Sequence, residues 1–176
     1  MEHPQIYKSA AQADAISFLK SDHAAVKDLF MQFNLLAEAS APAHENKRVI
    51  ALKICAALTV HTQIEEEIFY PEVRAALGPK EGLMIDQAEV EHASCKALIE
   101  QIELMQPSDD HYDAKVIVLG EYIDHHVEEE EDFMFRKVGR AKFDSASLAQ
   151  ELAIRKQELL NDYSSQKKSL SAAAFA

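Results

Sequence analysis

Glycine and proline are scarce in this sequence, with four and five among 176 residues. Ala, Leu, Glu, Lys and Gln are plentiful, and because these residues lose little freedom in a helix the balance favours helix over sheet. Cysteine occurs only at Cys55 and Cys95, too few for a disulfide framework and in keeping with thiols in a reducing cytoplasm. Basic residues are outnumbered, 18 Lys and Arg against 30 Asp and Glu, for a net charge of −12. An acidic surface repels phosphate backbones, which argues against nucleic acid as a partner. No apolar run approaches the ~20 residues that span a bilayer. The start, MEHPQIYKSAAQADA, has no basic stretch followed by an apolar one, so neither a membrane span nor a signal peptide is expected. What is left describes one soluble, cytoplasmic, globular domain with enough length to bury a core, as monomer or homodimer.

The punctuation of the chain predicts an all-α fold. Residues 1–13 read as a loose arm, and Asp14 as the cap of a helix running to Glu38. ASAPAHEN (39–46) reads as a loop. A second helix is predicted over 46–77, bent at Pro71 and ended by Gly78-Pro79, a third over 80–106, and a fourth over 111–140 after the break Pro107-Ser108-Asp109-Asp110. Residues 1–143 then form an arm plus an up-down-up-down four-helix bundle. Residues 144–176 form a shorter additional C-terminal helix, opened by Asp144-Ser145 and striped by Leu148, Leu152, Leu159 and Tyr163, with SLSAAAFA as a frayed tail. This fifth helix is expected to cover a groove of the bundle or to meet a second copy.

An internal repeat is the more telling feature. Asp22-His23-Ala24-Ala25-Val26-Lys27 resembles Glu91-His92-Ala93-Ser94-Cys95-Lys96, and His61-x-x-x-Glu65-Glu66-Glu67 resembles His126-x-x-x-Glu130-Glu131-Asp132. The first helix thus matches the third, and the second matches the fourth, as in a duplicated hairpin with a pseudo-two-fold axis. Helical spacing sets the repeated residues in apolar stripes. These are Ile16, Leu19, His23, Val26, Phe30, Phe33 in the first helix and Ile85, Ala88, His92, Cys95, Ile99, Ile102 in the third. The second gives Ile54, Leu58, His61, Glu65, Ile68, Phe69, and the fourth Leu119, Ile123, His126, Glu130, Phe133, Met134.

Four imidazoles and two carboxylates turned into one core need a cause, because a buried ionised carboxylate is costly unless paired or bound to metal. A metal pair satisfies all six: His23, His61, Glu65, His92, His126 and Glu130. In His-x-x-x-Glu the two side chains sit one turn apart, with Cβ atoms ~5–6 Å apart, so the carboxylate can bridge two ions while its histidine binds one. Imidazole and carboxylate without thiolate suit iron, manganese or zinc. On an octahedral count the six residues and a bridging oxide or hydroxide leave roughly two positions open to a small exogenous molecule.

These motifs, Asp22-His23, His61-x-x-x-Glu65-Glu66 leading to Phe69-Tyr70-Pro71, Glu91-His92 and His125-His126-x-x-x-Glu130-Glu131, resemble the hemerythrin-like (HHE cation-binding) family over residues 14–140. The resemblance implies a four-helix bundle around a non-haem di-iron centre. It implies His23 and His61 on one iron, His92 and His126 on the other, and Glu65 and Glu130 as bridges. It departs at Lys96, where oxygen carriers of the family place a further histidine. That departure leaves one iron with a labile water or with Glu89 as an added ligand. The implied ligand is O₂ or nitric oxide for storage, sensing or stress response. A redox enzyme acting on peroxide or nitric oxide, and an iron-responsive interaction module using the last helix, are the alternatives.

Neighbouring residues are read more plainly. His125 points about 100° from His126 and belongs to the rim. Glu66 and Glu129 point away from the interior on helical spacing, and the run 128–132, Glu130 apart, is a solvated acidic face. A straight helix cannot wrap calcium with enough oxygens, which sets that ion aside. Cys95 is a small core residue. Tyr70 and Tyr122 fit either packing or donation to the site. No role falls to His3, His44 or His111.

Overall fold

The computed structural model describes residues 14–39, 43–141 and 144–173, with side chains to residue 165. The expected arm with His3, the middle of the first loop, and residues 174–176 of the expected tail lie outside the described residues. Helix α1 spans Ala15–Glu38 and is capped by Asp14, whose carboxylate accepts from the Ser17 backbone N–H at 3.0 Å. Helices α2 (His44–Ile64) and α3 (Tyr70–Leu77) run as one rod, broken only by a wider π turn at Glu65–Phe69. Gly78 ends that rod at φ 76°, a left-handed conformation that glycine adopts without strain. A short 3₁₀ turn leads into α4 (Gly82–Leu104). Helices α5 (Tyr112–Glu129) and α6 (Phe135–Val138) form the fourth rod, again interrupted by a π turn, at Glu130–Met134.

The four rods form an up-down-up-down bundle: α1 packs on α2 and α5, and α4 on α5 and α2. Two apolar clusters fill it. One holds Leu19, Ile64, Phe69, Tyr70, Ile85, Met134 and Phe135, and the other Val26, Phe30, Phe33, Leu58, Cys95, Leu119 and Ile123. Between them lies the layer of histidines and glutamates.

The additional helix α7 (Ser145–Ala173) has 29 residues. It is longer than the short element expected, and residues 169–173 of the expected frayed tail are helical. It lies against α1, α2 and the first π turn of its own chain, burying Leu148, Ala149, Leu152 and Leu159. The Ser145 hydroxyl accepts from the Ala15 N–H, and the Tyr163 hydroxyl donates to Glu103 of α4. No helix among the described residues is long and apolar enough to cross a membrane.

The π turns correct the predicted stripes. A bend at Pro71 was the expected irregularity, but the chain departs from α geometry earlier, at Glu65. Proline is not the cause, since Arg136 stands at the matching place after the second turn. Each π turn takes up an extra residue and rotates the residues beyond it. Phe133, expected inside, is 62% exposed, while Phe135 is buried. Ile68 is only partly buried, and Tyr70 is fully so.

Candidate metal centre

Each rod delivers one imidazole: His23 from α1, His61 from α2, His92 from α4 and His126 from α5. Glu65 and Glu130 open the two π turns. The structure brings all six together, none more than 6% exposed. The histidines meet in pairs through their Nε2 atoms, His23 with His61 at 3.1 Å and His92 with His126 at 3.1 Å. Glu65 spans the pairs. Its Oε1 is 3.3 Å from His61 Nε2, and its Oε2 is 3.5 Å from His92 Nε2. Glu130 Oε2 lies 3.3 Å from His23 Nε2 and 3.7 Å from His126 Nε2.

The outer nitrogens face carboxylates that helical spacing alone sends to solvent. His23 Nδ1 is 2.9 Å from Glu131, His92 Nδ1 2.9 Å from Glu66, and His126 Nδ1 2.8 Å from Glu91. Asp22 faces His61 Nδ1 at 3.6 Å. A carboxylate at Nδ1 keeps the proton there and leaves Nε2 as a lone-pair donor aimed inward. The expectation that Glu66 points away is therefore wrong, as is that of a solvated Glu131. Each lies one position past a glutamate of the inner set and reaches a histidine on another helix, a contact that one helix's own periodicity does not reveal.

The π turns add two rings. Tyr70 stacks on His92 with centroids 5.5 Å apart, and Phe135 stacks on His23 at 5.8 Å. The Tyr70 hydroxyl donates to Glu130 Oε1 at 2.9 Å and is 3.3 Å from His92 Nε2. On the opposite side a cavity of about 10 Å³ touches all four histidines and is closed by Val26, Leu58, Ile123 and Val127. That is room for roughly one water-sized molecule.

These residues fit a metal pair. Two ring nitrogens at ~2.1 Å from one ion, at a right angle, stand ~3 Å apart, the spacing of each Nε2 pair. Both oxygens of Glu65 and Oε2 of Glu130 are buried without a hydrogen-bond partner, a costly state that a cation relieves. Electrostatics agree. Burial, then repulsion from Glu130, raises Glu65 well above the usual carboxylate range. Burial also pushes Glu130 up, but His126 and His23 outweigh it and hold that carboxyl at about 2. The two buried carboxyls are thus pushed in opposite directions, Glu65 up and Glu130 down. Burial drives His61 down to about 4 and lowers His92. Burial also presses on His126, but Glu130 and Glu91 raise it.

The other residues weighed for the site lie outside it. Glu89 accepts from Arg74 at 3.4 Å on the surface and does not approach His92. Lys96 turns outward and donates to both oxygens of Glu66, at 2.7 and 2.6 Å. The exposed His125 pairs with Glu129 at 3.5 Å, as its rim position implied. Tyr122 is 48% exposed and takes no part. Cys95 is a core thiol that burial pushes up to about 11. His44 opens α2, and His111 precedes α5 in a left-handed conformation, φ 68°.

Known proteins share this fold. A solved hemerythrin HHE cation binding domain-containing protein from Mycobacterium kansasii superposes with a TM-score of 0.69 at 21% identity, over 85% of this chain and 89% of that one. A curated relative, a DNA nickase from Nostoc sp., is 36% identical over 83 residues, 46% of this chain, and the match spans only 22% of that longer protein. The sequence profile of the hemerythrin HHE cation-binding domain matches residues 14–138, the stretch that carries all six inward residues and their four carboxylates. With that match over most of its length, and with clustered histidines and glutamates able to hold metal ions, the chain belongs to the hemerythrin HHE cation-binding domain family.

Proposed function

We propose that this protein holds two iron ions, one on His23 and His61 and one on His92 and His126, with Glu65 and Glu130 bridging them. In this reading the iron pair binds O₂ or nitric oxide, for storage, sensing or stress response. The observation that carries it is the pairing of Nε2 atoms at 3.1 Å on both sides of Glu65, whose two oxygens reach one pair each. When bound, the iron pair supplies redox chemistry and an open coordination position.

The chain's own residues do the rest. Glu131, Glu66 and Glu91 orient His23, His92 and His126 through Nδ1. Tyr70 holds Glu130 from the side away from the cavity. Val26, Leu58, Ile123 and Val127 exclude bulk water and limit the guest to a few atoms. The hydroxyl in the cavity lining, Thr62, donates to the Thr59 carbonyl at 3.3 Å, so it offers no proton to a guest. A chamber this small, with aliphatic side chains in its wall, suits a guest of a few atoms.

The test is exposure of the reduced, iron-loaded protein to nitric oxide and to O₂, followed optically. Saturable, reversible adducts support the reading. Sustained consumption of either gas or of peroxide would support the enzyme alternative instead.

A further inference from the structure

Helix α7 lies outside the stretch matched by the family, residues 14–138, yet it reaches the metal centre. Its Lys156 ammonium donates to Asp22 Oδ1 and sits 5.3 Å from the centroid of the Phe18 ring. Asp22 is the carboxylate behind His61. The same lysine–carboxylate–histidine order occurs twice more: Lys20 is 3.1 Å from Glu131 behind His23, and Lys96 is 2.6 Å from Glu66 behind His92. In those two the lysine belongs to the bundle. At His61 it comes from α7.

The His61 corner also depends most on its lysine. Asp22 stands where the repeat has Glu91, and aspartate is one methylene shorter. Glu91 reaches His126 Nδ1 at 2.8 Å, whereas Asp22 stops 3.6 Å from His61 Nδ1. Asp22 Oδ2 and His61 Nδ1 are both buried without a hydrogen-bond partner. No bond to the imidazole ties Asp22 in place, and the lysine on its other oxygen does.

We propose that Lys156 is a positioning residue for the metal position made by His23 and His61, so that docking of α7 and occupancy of that position are coupled. The inference rests on the reading that the six inward residues hold a metal pair. Partners that orient a ligating histidine are typically worth ~10–100-fold in metal affinity. Without Lys156, Asp22 is free to turn to solvent and His61 loses the group that faces its outer nitrogen. Coupling is reciprocal, so metal at this position also holds α7 down.

The test uses the full chain as wild type, Lys156→Met and Lys156→Arg, titrated with Fe²⁺ anaerobically against a chelator and followed by amide exchange. Circular dichroism shows that each variant is folded, and Lys156→Gln replaces a methionine variant that is not. Expected are two Fe²⁺ per wild-type chain. In Lys156→Met one Fe²⁺ binds as in the wild type and the other ~10-fold more weakly, with recovery in Lys156→Arg. Loading slows amide exchange across residues 145–165 in the wild type and far less in Lys156→Met. Wild type and Lys156→Met binding both ions alike, or α7 exchange indifferent to loading, overturns the coupling alone. A wild type that takes up no Fe²⁺ overturns the metal reading with it.

Discussion

The Tyr70 hydroxyl donates to Glu130 across 2.9 Å, deep in the bundle and with no counterpart on the other half, where Phe135 lies against His23. The duplicated hairpin is therefore symmetric in its six inward residues and asymmetric in the groups around them. A hydrogen bond to a buried charged acceptor contributes roughly 1.5–3 kcal/mol. Tyr70→Phe keeps the stacking on His92 and removes only the hydroxyl. Metal-free Tyr70→Phe is expected to be less stable than the parent by about that amount, measured by urea unfolding in chelator. An unchanged midpoint and slope would show that the bond contributes nothing.

Glu66 and Glu129 separate two kinds of acidic neighbour. Glu66 accepts at His92 Nδ1, while Glu129 pairs with the exposed His125. Glu66→Ala is expected to weaken iron binding by ~10–100-fold, and Glu129→Ala to leave it unchanged. Competition with a chelator of known affinity measures both. Equal retention of iron would mean that the carboxylate does not orient His92 in the loaded protein.

Six inward residues were legible in the sequence because each occurs twice at matching places, and because a carboxylate on an apolar stripe demands a partner. The Asp14 cap and the ends of α1 were legible too, since capping is a local matter of hydrogen bonding. The π turns at Glu65 and Glu130 were not. Nothing in Glu-Glu-Glu-Ile-Phe or Glu-Glu-Asp-Phe-Met announces the extra residue, and the proline near one turn is missing from the other. That single-residue shift hid the inward face of Phe135 and left Tyr70, weighed as a core ring or a donor, off the predicted stripe. Asp22, Glu66, Glu91 and Glu131 escaped for another reason: each serves a histidine on a different helix.

Acidity should act differently on the empty and the loaded protein. Glu65 and His126 are raised in the fold. Each therefore contributes stability that is full below its unfolded value, ~4.3 for Glu and ~6.5 for His, and that is lost as pH rises through its folded value. His61, lowered to about 4 by burial, acts oppositely: its contribution is present above ~6.5 and lost as pH falls toward its folded value. These contributions oppose each other in mildly acidic solution, and above ~6.5 the gain from His61 is complete while the loss from His126 continues. Chelated protein should accordingly lose stability as pH rises above this point. Metal binding requires its carboxylates deprotonated and its imidazoles neutral, so iron affinity should climb with pH. Urea melts at several pH values, with and without iron, check this. Parallel profiles for both forms would contradict it.

The central claim is that four histidines and two glutamates hold a pair of irons. Metal analysis of protein purified without added metal, together with its optical spectrum, tests it most directly. The predicted result is about two irons per chain on the proposed ligand count, with charge-transfer absorption from the bridged pair, and the loss of at least one of them in Glu65→Ala. One tightly held metal per chain, none at all, or a Glu65→Ala protein with the full complement would contradict it.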